Sequence, residues 1–314
     1  MNRIEGKEIS VPASIANLGP GFDTLAVAVN LYLRVRVMRS VRDGKGTLDF
    51  RFLQGPLPGA NYIERALAHW TGAAPADRPS LILEVDSEIP LQAGLGSSAA
   101  ATVAGLKLAE ALYGERSPRE LLDEACRLEG HPDNASAAVL GGLTGSCQRD
   151  DGQVVAVRFA WPEKLRFVVV TPDVRLKTSE ARQVLPAHLS RSDGIHNLQR
   201  VVMFLHSLQS GQHHNLREAM RDRWHQPYRQ PLVPGLREAM ELDHPDLLGV
   251  CLAGAGPSIV AIAEKNFGEI GELLTRAHRR LGIAFTVRTL SAHVNEAVRD
   301  RTGLPSPSSA LRER

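Results

Sequence analysis

One stretch constrains this chain more than any other: Pro90-Leu91-Gln92-Ala93-Gly94-Leu95-Gly96-Ser97-Ser98-Ala99-Ala100. Before it, Ser80 to Ser87 reads as a strand. After it, Ser97 to Tyr113 is rich in Ala with Leu106 and Leu112 among small residues, as in a long helix. The order is therefore strand, glycine-rich turn, helix. Gly94 and Gly96 let backbone approach a ligand closely, and the helix start turns free N–H groups and the positive dipole end toward the turn, a geometry that binds phosphate. Ser97 and Ser98 add hydroxyls able to reach phosphate oxygens or a magnesium ion. No Gly-Lys-Ser/Thr follows, which excludes a P-loop, and neither serine sits in G-x-S-x-G, which excludes a hydrolase elbow. A plain turn with Ser97 as N-cap is the competing account.

Further strands are expected at Glu8 to Pro12, Leu25 to Met38, Thr47 to Phe52, Leu143 to Cys147 and Val154 to Phe159. Helices are expected at Asn61 to Trp70, at Pro118 to Glu129 behind the N-cap Ser117, and at Asn134 to Leu140. With 314 residues the chain has room for two domains. The boundary is placed before Leu165 to Thr171, which reads as a buried strand. The second half then shows several helices, a strand pair at Leu248 to Leu252 and Ser258 to Ala263, a helix at Phe267 to Leu281 and a strand at Ile283 to Leu290, compatible with a ferredoxin-like layer.

Charge narrows the class of partner. Thirty-seven Lys and Arg against 35 Asp and Glu leave a net +2, too little for a field that would hold nucleic acid or an anionic membrane. Three scattered cysteines, Cys126, Cys147 and Cys251, without a C-x-x-C pair, fit a reducing, cytoplasmic setting. Neither a signal-peptide pattern nor a run of about 20 apolar residues is found.

Three more segments carry polar groups on glycine-rich backbone: Val11 to Asp23 (VPASIANLGPGFD), read as a loop; Glu129 to Asn134 (EGHPDN), at a helix end; and Leu252 to Ser258 (LAGAGPS), read as a hairpin turn. With Thr178-Ser179-Glu180-Ala181-Arg182 and His225-Gln226-Pro227-Tyr228-Arg229, in this order and spacing, the chain resembles the GHMP kinases, and among them the homoserine kinases, from about Val11 to Leu290. The resemblance implies an α+β, two-domain GHMP kinase fold. Residues 1–164 would form the ATP-binding domain, like domain 2 of ribosomal protein S5, and residues 165–302 a ferredoxin-like α/β sandwich. Residues 303–314 would be a flexible tail.

It also implies a function: transfer of the γ-phosphoryl group of ATP, with Mg2+, to the hydroxyl of L-homoserine, in threonine biosynthesis. Pro90 through Ala100 would wrap the ATP phosphates and Asn61 would lie beside the base. Ser98 and Glu129 would hold magnesium. Glu129 has an independent argument, because a carboxylate at a helix C-terminus loses about 0.3–1 kcal/mol unless solvated or paired with a cation. By motif position Arg182 and Arg229 would clamp the homoserine carboxylate, Asp23 and Asp133 would take its ammonium, and Asn17 would lie near its hydroxyl. The bland accounts are that Asp133 caps its helix, Arg182 pairs near Glu180 and Asn17 stabilises its own turn. No nucleic acid or membrane partner is implied, and a homodimer is left open.

Other branches of the family carry an aspartate base in the segment corresponding to His131 to Ala137; here Asn134 falls there, so no general base is assigned. Ile15 and Ala253 stand where homoserine kinases commonly carry hydroxyl residues, which removes a hydroxyl near each site. Adjacent His213 and His214 have no metal-ligand spacing partners and read as surface or core residues. Cys251 reads as packing. Two alternatives remain: a kinase for another small carboxylate-bearing alcohol, and a catalytically silent member acting through protein contacts.

Overall fold

The computed structural model describes residues 4–57, 59–71 and 78–294. The tail expected at 303–314 lies outside them. Six strands, β1 (Glu8–Ala16), β2 (Leu25–Val41), β3 (Leu48–Phe52), β4 (Ser80–Ser87), β5 (Leu143–Gln148) and β6 (Val154–Phe159), form one sheet in the order β3-β4-β2-β5-β6, with β1 on β2. Against it pack α2 (Ser97–Tyr113), α3 (Pro118–Glu129) and α4 (Asp133–Leu140), and α1 (Tyr62–Thr71) lies on α2. Ser117 caps α3 in a full capping box with Glu120, and Gly130 ends it in the left-handed conformation.

The first strand is longer than the sequence suggests. The expected strand end at Pro12 is not the end, and Ala13 to Ala16 is not loop: β1 runs on to Ala16, opposite Ala26, with a bulge between Pro12 and Ala13. Proline is tolerated there because the ladder is already interrupted. Beyond the bulge, Ala16, Ala26, Ala28 and Ala137 pack as a cluster of small buried residues, which lets α4 lie close to the sheet.

Four antiparallel strands, β7 (Arg166–Pro172), β8 (Leu247–Leu252), β9 (Ile259–Ala263) and β10 (Phe285–Leu290), form the second sheet in the order β10-β7-β9-β8. That is fourth-first-third-second, the ferredoxin-like arrangement. The helices α5 (Thr178–Gln183), α6 (Arg191–Ser210), α7 (Leu216–Ala219), α8 (Gln226–Arg229) and α9 (Leu236–Met240) connect β7 to β8, and α10 (Phe267–Leu281) connects β9 to β10. The unbroken apolar run in β7 is explained by burial on both faces. Phe167 and Val169 join the large core shared with the first sheet, whereas Val168 and Val170 pack in a second core with Ile270 and Leu274. Among the described residues no helix is long and apolar enough to cross a membrane.

The two sheets are also stitched by backbone. Along one edge of β2, Leu33–Val41 pairs with β4 and Leu25–Val27 with β5, leaving a gap between. The segment after β10 enters it: Asn30 N–H donates to Ser291 O at 3.1 Å, His293 N–H to Ala28 O at 2.8 Å, and Gly142 N–H to His293 O at 2.7 Å. Donors and acceptors that would otherwise be buried unpaired are thereby satisfied.

Candidate active site

A cavity of about 560 Å³ opens where the glycine turn before α2, the ends of α3 and α4, the loop 17–23 and the start of α5 converge. Gly94 has φ +78° and a Cβ there would lie 2.2 Å from Ala253 O; Gly96 has φ +71° and a Cβ would lie 2.2 Å from Ser14 Oγ. The glycines are thus required by close approach of the chain to itself. Ser258 N–H donates to Ala93 O, and Gly254 N–H to Ala16 O, so the two glycine turns interlock across the halves of the molecule.

The start of α2 is open. Gly96, in the left-handed conformation, occupies the cap position without a side-chain cap, and Ser97 is the first helical residue, not the cap. Ala100 N–H makes the first i→i−4 bond to Gly96 O at 2.9 Å, so the amides of Ser97, Ser98 and Ala99 precede the helical ladder. Leu91, Gln92, Gly94, Gly96, Ser97, Ser98 and Ala99 line the cavity, while Ala93, Leu95 and Ala100 are buried in the protein and Pro90 is half-buried away from the lining.

Glu129, the last residue of α3, faces this helix start. Ser98 Oγ donates to its Oε1 at 2.9 Å and Thr102 Oγ1 to the same oxygen at 2.7 Å. Ser98 and Thr102 are four residues apart on one helix face, so both hydroxyls aim alike. Thr102 was not singled out from the sequence; its i+4 spacing from Ser98 is the signal that would have found it.

Across the cavity lies a charged group. Arg182 Nη2 donates to Asp23 Oδ1 at 2.7 Å and Nη1 to Oδ2 at 3.0 Å, a bidentate pair, so Arg182 is not paired near Glu180. Burial disfavours the Arg182 charge, but the hydrogen bonds and charge of Asp23 more than compensate, and the Arg182 pKa lies above its ordinary value. Arg229 is 1% exposed, and its Nε donates to Ala181 O at 3.0 Å and Nη1 to Gly254 O at 3.0 Å. Burial, then the Arg182 charge, brings its pKa down to about 10, so it stays cationic at neutral pH. Phe22 underlies both guanidinium groups, 5.5 Å from that of Arg182 and 5.4 Å from that of Arg229.

Asp133 opens α4 but does not cap it from outside. Its Oδ1 lies 2.8 Å from His131 Nδ1 and accepts from Asn134 N–H at 2.7 Å. Burial works against a charged His131, yet the hydrogen bond and charge of Asp133 raise its pKa above the ordinary value. Asn134 Oδ1 accepts from Ser14 Oγ at 2.7 Å, an amide that takes no proton. Asn17, at φ +72°, accepts from Asp23 N–H at 3.1 Å and donates through Nδ2 to Gly254 O at 2.9 Å. It therefore does stabilise its own turn while lining the cavity.

Asn61 does not line the cavity. Its Oδ1 accepts from Ile63 N–H at 3.1 Å and Glu64 N–H at 3.3 Å at the head of α1, and Ala60, Tyr62 and Arg65 form the wall there. Ile15 and Ala253, the two departures, are fully buried in the core. Cys251 is buried too, its thiol pushed up to about 12 by burial.

Residues 61–142 match the description GHMP kinases N terminal domain, and residues 204–266 match GHMP kinases C terminal. The homoserine kinase of Solibacter usitatus is 40% identical over 285 residues, 88% of this chain and 91% of that protein. The homoserine kinase of Moorella thermoacetica is 37% identical over 292 residues, covering 90% and 96%. In fold, the homoserine kinase from Cytophaga hutchinsonii superposes with a TM-score of 0.76 over 92% of this chain and 96% of that one at 24% identity. The L. major mevalonate kinase in complex with R-mevalonate does so with a TM-score of 0.69 over 93% and 98% at 16% identity. The chain belongs to the GHMP kinases, and within them to the homoserine kinase family.

Proposed function

We propose that the protein transfers the γ-phosphoryl group of ATP to the side-chain hydroxyl of L-homoserine, giving O-phospho-L-homoserine for threonine biosynthesis in the cytoplasm. One observation carries this reading: a single cavity is lined by an open helix start and by a cluster of opposite charges, Asp23, Asp133, Arg182 and Arg229. The first suits polyphosphate. The second suits an amino acid, whose carboxylate and ammonium each need a partner.

The donors beside α2 also fit magnesium. Glu129 offers one carboxylate and Ser98 and Thr102 offer hydroxyls, all hard oxygens, and Mg2+ typically takes one or two carboxylates plus phosphate oxygens and water. Glu129 and Ser98 would hold it, and it would supply charge neutralisation on the phosphates.

The protein's own work is positioning and electrostatics. The amides of Ser97, Ser98 and Ala99 and the α2 dipole offset charge on phosphate oxygens. Arg182 forks onto the acceptor carboxylate, as guanidinium groups do, and Arg229 adds its remaining nitrogen, Nη2. Asp23 and Asp133 receive its ammonium, and Asn17 lies beside its hydroxyl. No side chain is assigned as base.

A coupled ADP-release assay with MgATP and homoserine, serine, threonine, mevalonate and galactose tests the reading. Turnover highest with homoserine is expected; turnover with a different alcohol only, or with none, overturns it.

A further inference from the structure

Arg229 serves the acceptor only if its guanidinium is aimed, and the inference drawn here rests on the function proposed above. Two of its nitrogens are spent on Ala181 O and Gly254 O, and Nη1 also lies 3.1 Å from His225 Nδ1. No hydrogen bond among the described residues uses Nη2. His225 is fully buried, and its Nε2 lies 2.9 Å from Gly19 O. A carbonyl oxygen only accepts, so Nε2 carries the proton and Nδ1 is the bare nitrogen that accepts from Arg229. Burial lowers the His225 pKa; the nearby Asp222 charge opposes this and Arg229 reinforces it, so the ring is neutral.

The backbone under the ring is equally fixed. The Asp222 carboxylate, itself buried, accepts from the N–H groups of Trp224 at 2.7 Å, His225 at 3.0 Å and Gln226 at 2.7 Å, and from Asn197 Nδ2 at 2.7 Å. Asn197 Nδ2 also donates to Pro20 O at 3.1 Å. Phe22 stacks on the imidazole with ring centroids 5.2 Å apart. Loop 17–23, which carries Asn17 and Asp23, is thus tied to the ring that touches Arg229.

We infer that His225 is a positioning residue: as an Nε2–H imidazole it bridges Gly19 O and Arg229 Nη1, sets the spacing between Arg229 and Asp23, and turns Nη2 toward the acceptor carboxylate. It touches neither substrate. In His225→Asn the amide oxygen takes the place of Nδ1 and the acceptor for Arg229 survives. In His225→Gln an amide nitrogen reaches toward Gly19 O, but nothing accepts from Arg229.

The test compares both variants with the wild type. His225→Gln should raise KM for homoserine at least about tenfold, the scale of one lost hydrogen bond to a charged group, with KM for ATP unchanged. His225→Asn should raise it by no more than about threefold, keeping the acceptor side of the same bond. Equal effects of the two variants, or parallel rises in both KM values, would overturn the assignment in favour of general support of the fold. A second measurement does not depend on the acceptor: nitrogen NMR of labelled histidine in the wild-type protein should show His225 protonated at Nε2 and bare at Nδ1. The opposite tautomer overturns the proposal. Absence of homoserine turnover by the wild type would sink the functional reading alone, and the tautomer would still decide the contact with Arg229.

Discussion

Asp23 and Arg182, 159 residues apart, meet in a bidentate ion pair inside the cavity, with side chains 33% and 37% exposed. Each charge is the other's partner until a ligand brings both signs. A zwitterionic acceptor can exchange with the pair and leave every charge matched, whereas a simple acid or amine strands one of them.

Asp23→Asn should therefore raise KM for homoserine by about tenfold or more, the cost of losing a charge-assisted contact. KM for ATP should stay close to wild type. Because the pair is partly exposed, its loss should cost folding stability less than about 1 kcal/mol. Steady-state kinetics with each substrate varied, beside a urea melt, check both statements; a large stability loss would make the pair structural.

Glu129→Gln keeps the shape of the acceptor for Ser98 and Thr102 and removes its charge. We expect kcat to fall by about 10²–10³, the usual scale for one transition-state charge contact, and the magnesium concentration for half-maximal rate to rise. Thr102→Val should shift the magnesium titration in the same direction by less. A magnesium titration unchanged in Glu129→Gln would remove Glu129 from the metal site.

Gly94→Ala should be costly, because a Cβ would lie 2.2 Å from Ala253 O and the residue has φ +78°. The left-handed conformation alone costs about 1–2 kcal/mol, and a clash with backbone cannot be relieved by a rotamer change. Gly152→Ala is the control: φ is +82° but nothing lies within 4 Å. Thermal melts should show a clearly larger fall in Tm for Gly94→Ala; equal shifts would mean that the two turns are not interlocked.

The His131 pKa is raised in the folded protein, with burial opposing and Asp133 prevailing. A raised histidine pKa contributes stability that is fully present below its unfolded value and is lost as pH rises through the folded value. Stability from this pair should thus decline from the ordinary histidine range upward. Asp133→Asn should flatten that part of the pH profile, and proton NMR of the His131 ring should titrate above an ordinary histidine in the wild type. Titration below it would refute the pairing.

Local pattern made much of this molecule readable. Strand Ser80–Ser87, helices Ser97–Tyr113, Pro118–Glu129 and Phe267–Leu281, and the Ser117 cap depend on near-neighbour periodicity and turn chemistry, and all are found at those residues. The glycine turn announced an open helix start, and Glu129 at a helix end announced a carboxylate in need of partners, which Ser98 and Thr102 supply. The reason for the glycines was not readable, because their closest neighbours, Ser14 and Ala253, are distant in sequence. Nor was the continuation of the first strand from Ala13 to Ala16: its alternation is masked by small residues whose fit appears only when Ala26, Ala28 and Ala137 are brought beside them.

What the sequence by itself determined is many of the strands and helices, the family and the chemical types of the residues proposed for the site, since these depend on residues close in the chain or on spaced motifs. What only the tertiary structure decided is pairing: that Arg182 meets Asp23, that Thr102 joins Ser98 on Glu129, and that His225 stands between Gly19 and Arg229. Hydrogen bonds and ion pairs act only within about 4 Å. Partners far apart in sequence acquire that distance only when the helices pack on one another and the two sheets dock.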